Sequence, residues 1–313
     1  MKHLKQFSGF INEQETKEVP VKDPAKDPMK DPSGVAQGTY DSLKKAAEMI
    51  KAAGFGDFLG GDSEGGGATW GERLQGSGAK VPSAEDVKKG VEAVNKAMDR
   101  HEITDKNMRA SIQGVIGKEC GWAPQNEEPY TNTSNDRIRK IFGKRVATLS
   151  DAEINAIKAD PAKFWDRVYG PDDPTGASQK MGNTQPGDGA KYLGRGFNGI
   201  TFKSGYERMQ KIYDKDGKLG KSVNFVSNPD ALNDLDVAAE VAVLYFVENL
   251  KNPKVKSLYG SNDPNGFPDK DSALKAVFHV NSGLGNDLSK PIFQETLAKS
   301  TAFRDDMLSK NMV

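Results

Sequence analysis

One acidic residue stands where an apolar helical face ends. Met108, Ile112, Val115 and Glu119 fall at i, i+4, i+7 and i+11, one side of a helix. Apolar neighbours on that face predict partial desolvation of the Glu119 carboxyl, and desolvation favours its protonated form. Gly121 follows closely, so Glu119 also lies at the negative pole of the helix, which pushes the same way. A carboxylic acid that keeps its proton near neutral pH is the group required for general-acid cleavage of a glycoside. Glu127 and Glu128 come next, in a loop between Pro124 and Pro129, and the hydroxyls of Thr131, Thr133 and Ser134 follow. An acid on a helix end, then a carboxylate and a hydroxyl on the next loop, could hold a water against a sugar ring. The competing reading is an acidic surface loop beside a solvent-facing helix end.

Other groupings point to different chemistry. Cys120 precedes His279, with Asn281 or Ser282 near the imidazole in sequence, which is an order acceptable for a cysteine nucleophile. A single cysteine beside a helix end also reads as a small buried filler. Residues 194–199 spell G-x-G-x-x-G, but no apolar strand precedes them and no βαβ pattern surrounds them, so a dinucleotide site is rejected. A tight glycine turn that lets backbone approach a ligand, with Tyr192 and Arg195 beside it, fits better. Asp214 to Gly217 is a turn lacking the later ligands of a calcium loop. Asn132-Thr-Ser134 is a glycosylation sequon by pattern alone.

The elements that must position these residues are helical. Ser83-Ala-Glu-Asp86 predicts a capping box before a face of Val87, Val91, Val94 and Met98. Thr104 is the expected cap of the helix that runs through Lys118. Ser150 to Glu153 predicts a second capping box, with Leu149 and Ile154 as its hydrophobic staple. Asp160-Pro161 and Asn228-Pro229 each put a capping residue before a proline at the first helical position. Ala238 to Leu250 is apolar nearly all round and should be buried. Ser272 to Val280 and Pro291 to Leu308 complete the set. Candidate strands are limited to Ile200–Phe202 and Val223–Val226, so the expected class is mainly α with a small β element.

Residues 1–82 differ in composition. Lys-Asp-Pro recurs at 22, 26 and 30, an extended spacer. One short helical patch, about Tyr40 to Ala53, precedes a glycine-rich run at 54–78 that is too poor in apolar surface to offset its ordering entropy. This segment is read as a flexible tail that carries a partner or a position, and 83–313 as the functional domain.

The 313 residues balance 44 Lys and Arg against 44 Asp and Glu, which argues against a whole-chain grip on nucleic acid. Mean hydropathy is −0.66, and no apolar run is long enough for a membrane span. Met1 to Glu13 has no apolar stretch of roughly 7–15 residues, so synthesis without a Sec signal is expected. Cys120 alone cannot form an internal disulfide, and His3, His101 and His279 are too scattered for a zinc site. Neither a metal nor a cofactor is expected.

Several of these stretches, taken in order, resemble family-19 chitinase-like glycoside hydrolases, and in particular the domain as it occurs in phage endolysins and bacterial cell-wall lysozymes. The resemblance rests first on Gly187-Asp-Gly-x-x-Tyr192-x-Gly194-Arg195-Gly196-x-x-x-Ile-Thr201 with Tyr206 after it. Upstream, Ile116-Gly-Lys-Glu119-Cys-Gly-Trp122 resembles the helix end that bears the family's catalytic acid. Arg137 to Phe142, Phe164 to Gly170, Met181 to Asn183, Asn228 to Leu232 and Val280-Asn281-Ser-Gly283 fall in family order. The match runs from about Thr104 to Asn286.

The resemblance implies a lysozyme-like, mostly helical, two-lobed fold that cleaves β-1,4 bonds between N-acetyl sugars by inversion. It implies Glu119 as general acid. It implies Glu128, nine residues on, and Ser134, six beyond that, as the groups that activate and hold water. Tyr192, Arg195, Gly196 and Asn281 match positions lining the sugar cleft. The substrate it implies is bacterial peptidoglycan, with chitin as the alternative polymer. Leu193 stands where the family has Arg and Gly199 where it has Gln, which leaves room for a non-catalytic wall-binding or virion structural protein. Phe10-Ile11-Asn12-Glu13 resembles the Leu/Ile-x-Glu site cut by prohead proteases of large tailed phages. That would make phage virion proteins partners of residues 1–82, with the enzyme made in the host cytoplasm and acting in the periplasm or wall.

Overall fold

A computed structural model describes residues 82–124, 126–127 and 130–313. The expected tail, apart from Pro82, lies outside the described residues, as does Glu128. The described chain forms twelve α-helices in the order α1 (Ala84–Arg100), α2 (Lys106–Cys120), α3 (Asn135–Phe142), α4 (Asp151–Lys158), α5 (Pro161–Tyr169), α6 (Ala177–Lys180), α7 (Asp188–Lys191), α8 (Lys203–Asp216), α9 (Leu235–Leu250), α10 (Pro253–Tyr259), α11 (Lys270–Ser282) and α12 (Pro291–Ser309). Short 3-10 turns occupy Gly143–Arg145 and Pro229–Asn233. None of the described helices is long and apolar enough to cross a membrane.

Local signals set most helix starts. Ser83 and Ser150 each form the expected reciprocal box, with Asp86 and Glu153, and Asp160 caps α5 ahead of Pro161. Two expectations need correction. Asp105, not Thr104, caps α2, accepting the Met108 amide, because the Thr104 hydroxyl, like its amide, is turned to the side chain of Asn265 far along the chain. Asn228-Pro229 opens a 3-10 turn rather than an α-helix, and Asp234 caps α9 just after it.

The mainly α class stands, but the β element shrinks to one antiparallel bridge between Arg195 and Ile200 among the described residues. Val223–Val226 is no strand. The Gln210 side chain satisfies its backbone instead, donating to Val223 O at 3.0 Å and accepting from Phe225 N at 2.6 Å. Extended chain with a β-rich composition needs only a partner for its polar groups, and here a helix side chain supplies it.

The apolar residues collect into two clusters. The larger joins α1, α2, α8, α9, α11 and α12. The smaller joins α3, α4 and α5 through Ile138, Phe142, Ile154, Phe164, Trp165 and Tyr169, and it takes in Leu193 and Phe202. The chain leaves the larger cluster at Trp122 and enters the smaller by Tyr130. It returns through 192–202, where Tyr192, Phe197 and Ile200 belong to the large cluster and Leu193 and Phe202 to the small one.

Glu240 locks the large cluster from inside. Its carboxylate, fully enclosed, takes Arg100 Nε at 2.8 Å, His101 Nε2 at 2.7 Å and the Lys218 amide at 2.7 Å. Burial alone would push this carboxyl up, but those hydrogen bonds outweigh it and pull it down to about 2.

Candidate active site

Helix α2 runs through the large cluster against α11 and α12 and is buried along most of its length. Met108, Ile112 and Val115 are essentially inaccessible, as their spacing requires. The face they define reaches the surface at its last turn. There Glu119 is exposed, its side chain keeping 30% of its accessibility, so the desolvation expected from the apolar face stops one turn short of it. Two donors fix the carboxylate: Asn281 Nδ2 donates to Oε1 at 3.1 Å, and Lys118 Nζ approaches the same oxygen at 3.0 Å. Asn281 sits in the last turn of α11, which Tyr245 of α9 braces by donating its hydroxyl to Val280 O at 3.0 Å. Glu119 and Asn281, 162 residues apart, are thus brought into contact.

Beyond α2 the loop crosses to the smaller cluster and fastens there through Glu127. Its amide donates to Gly194 O at 2.8 Å. Its Oε1 accepts the hydroxyls of Tyr130 at 2.9 Å and Tyr169 at 3.1 Å. Its Oε2 is out of solvent and finds no hydrogen-bond partner among the described residues. Burial drives this carboxyl up to about 7, against the two phenols, the Gly194 backbone and the charge of Arg145, which hold it down. Both phenols are in turn pushed far above their ordinary range, by burial first and then by the neighbouring carboxylate. Gly194 lies close against this carboxyl: a Cβ there would sit 3.4 Å from both Glu127 Oε2 and Thr201 Oγ1.

The glycine turn at 194–199 is a brace built from the residues around it. Arg195 and Ile200 exchange both backbone hydrogen bonds, at 3.2 and 2.9 Å. The Arg195 side chain is buried and spent on the protein, donating to Asp230 Oδ1 at 2.9 Å, Lys191 O at 2.7 Å and Tyr206 Oη at 3.0 Å. Tyr192 is also inside, its hydroxyl on Val226 O at 3.2 Å and its ring edge-on to Tyr206. Gly196 and Gly199 take left-handed conformations, Gly196 against Leu232 and Gly199 in open space. Leu193 packs into the small cluster.

Ser134 caps α3, accepting the Arg137 amide at 3.3 Å. Its hydroxyl proton can still be donated outward, which is the role a held water would ask of it. The cysteine and histidine do not form a nucleophilic pair. Burial pushes the Cys120 thiol far up, and it donates to Ile116 O within its own helix. Both nitrogens of His279 are engaged, Nδ1 with Tyr259 Oη at 2.6 Å and Nε2 with Asn286 O at 3.0 Å, and burial lowers its pKa. A thiolate activated by a free imidazole needs the opposite on both counts.

The residue pattern offers Glu127 and Glu128 alike, the resemblance selects Glu128, and neither gives a sign of Tyr130 or Tyr169. The enclosure of Glu127 depends on residues 42 and 67 positions downstream, so no local spacing announces it. No protein-family model and no curated protein matches the chain.

Proposed function

We propose that the protein hydrolyses β-1,4 glycosidic bonds between N-acetyl sugars, and that its substrate is the glycan of bacterial peptidoglycan. The observation that carries this is the pair formed by Glu119 and the loop behind it. A carboxyl is held at the accessible end of a buried helix by Asn281, and eight residues later Glu127 pins the loop to the smaller cluster. The order of sequence stretches that resembles family-19 enzymes supports the same assignment.

In the proposed reaction Glu119 gives its proton to the glycosidic oxygen as the bond breaks. Glu128 takes a proton from a water on the opposite face of the ring, and that water adds to the anomeric carbon with inversion. Inversion calls for two carboxyls about 6.5–9.5 Å apart. Glu119 is exposed and can meet a polymer, whereas Glu127 is half-buried, with one oxygen out of solvent and the other taken by two phenols. Glu127 is therefore given the work of fixing the loop. Ser134 orients the water, and the buried Arg195 and Tyr192 hold the glycine turn beneath the substrate.

The test is digestion of purified peptidoglycan and, in parallel, chitin oligomers, scoring new reducing ends and new free amines. Reducing ends from peptidoglycan without new amines is the expected result. Reducing ends from chitin alone would move the substrate to chitin. Sedimentation with walls and no new ends of either kind would replace catalysis by binding, and a virion-borne wall-binding protein would then describe the chain better.

A further inference from the structure

The segment between the two carboxyl-bearing elements begins with a backbone conformation that needs explaining. Gly121 closes α2 in the left-handed region at φ 60°, as helix ends commonly do. Trp122 then follows in the same region at φ 57°. Left-handed backbone is unfavourable for a residue with a bulky side chain, and it persists where the surroundings impose it. The surroundings here are three helices. The indole lies back over α2, so close that a Cβ at Gly117 would be 2.4 Å from its Cζ2. Its Nε1–H donates to Gln113 Oε1 at 2.6 Å, and the Gln113 amide is itself tied to Val91 O and Asn95 Oδ1 of α1, each at 3.0 Å. The Trp122 carbonyl presses on Gly90 of α1, where a Cβ would meet it at 1.9 Å. Phe303 of α12 meets the ring edge-on at 5.2 Å.

We propose that Trp122 is a positioning residue for Glu119: the indole, held by Gln113 and seated on Gly117, fixes the last turn of α2 and the direction in which the loop leaves it. Helix ends fray because their last carbonyls lack intrahelical partners. A carboxyl in the last turn that must meet a glycosidic oxygen cannot tolerate that motion, since misplacement by about 1 Å can cost on the order of 100-fold in rate. The strained turn stops it three residues past Glu119. From there only residues 123–126 separate Trp122 from Glu127, whose amide is tied to Gly194. The loop is thus fastened at both ends, one to each cluster. The kinetic part of this inference rests on the glycosidase reading, whereas the mechanical part does not.

Trp122→Phe keeps an aromatic ring and removes the donor to Gln113. Gly117→Ala keeps the Trp122 side chain but puts a methyl where its ring sits, so the ring must move, although alanine is otherwise the better helix former. Both are made in the full chain and read in two ways. On peptidoglycan, well below the melting temperature, each should lower kcat about tenfold or more while KM stays within about twofold. By hydrogen exchange, the amides at 118–123 should open at least about tenfold faster, while those at 108–114 stay protected. Lower thermal stability with wild-type kcat would make Trp122 merely structural and overturn the proposal. Unchanged exchange at 118–123 would overturn it as well. If Trp122→Phe does not fold, Gly117→Ala decides by the same two readings. If the wild type cleaves no glycan, the proposed function fails by that result, and exchange alone then decides whether the indole holds the helix end.

Discussion

Glu119 and Glu127 stand eight residues apart and occupy opposite surroundings. Glu119 sits at the open end of a helix rooted in the large cluster, with an amide and an ammonium on one oxygen. Glu127 is walled into the small cluster, with two phenols on one oxygen and nothing on the other among the described residues. Glu240 adds a third case, buried outright where Glu127 is half-buried, and met by Arg100 and His101; its carboxyl is pulled down where that of Glu127 is pushed up. Burial by itself does not decide the charge of a carboxyl. The partners decide it, and phenols offset far less of the desolvation cost than cations do. Exposure decides something else, namely which carboxyl can reach a polymer.

The sharpest way to break the comparison is to neutralise each acid in turn. Glu119→Gln should cost about 100- to 10,000-fold in glycan cleavage, the usual worth of a general acid, with little change in melting temperature. Glu127→Gln, which keeps shape and removes charge, should cost activity far less. Equal losses from the two would erase the distinction between a group that touches substrate and one that holds a loop.

The next effect is on stability and pH. The folded pKa of Glu127 is about 7 against an ordinary 4.5. A raised carboxyl pKa means stability fully present below about pH 4.5 and lost as pH rises through about 7. A shift of that size corresponds to roughly 3 kcal/mol. Thermal melts of the wild type should fall between pH 5 and pH 8 relative to those of Glu127→Gln, which has no proton to lose. Parallel curves for the two proteins would show that Glu127 is charged in the folded state throughout.

Asn281→Ala leaves Glu119 with the Lys118 ammonium and frees the carboxyl to turn. We expect kcat on peptidoglycan to fall about tenfold with KM little changed, and steady-state kinetics would check it. Tyr169→Phe removes one phenol from Glu127 and should cost about 1 kcal/mol by denaturant melts, while pushing the Glu127 carboxyl further up.

What can be read from sequence follows the same division. The starts of α1, α4 and α5 are legible at Ser83, Ser150 and Asp160 because a cap and its partner lie within three residues. The face of α2 is legible from the helical spacing of Met108, Ile112 and Val115, and so is the place of Glu119 at the helix end. The start of α2 shifts by one residue from its sequence signal because Asn265 intervenes from 161 positions away. Val223–Val226 has the composition of a strand, and the Gln210 side chain that replaces a neighbouring strand cannot be seen in that window. Tyr192 and Arg195 stand out in the sequence beside their glycines. Spacing alone cannot tell a side chain that lines a surface from one that braces the turn beneath it, and here both are inside. Glu127 stays hidden because its walls come from α5 and the glycine turn.

The most direct test of the central claim is the anomer released first. Proton NMR of a short β-1,4 N-acetyl-sugar oligomer or a soluble peptidoglycan fragment, recorded during digestion by the wild type, separates the outcomes before mutarotation blurs them. An acid at Glu119 acting across a water from a second carboxyl on the loop predicts the α-anomer as the initial product. Initial β-anomer would mean retention, through a carboxylate nucleophile about 5–5.5 Å from the acid or through the substrate's own acetamido group, and would contradict the mechanism, and no new reducing end at all would contradict the function.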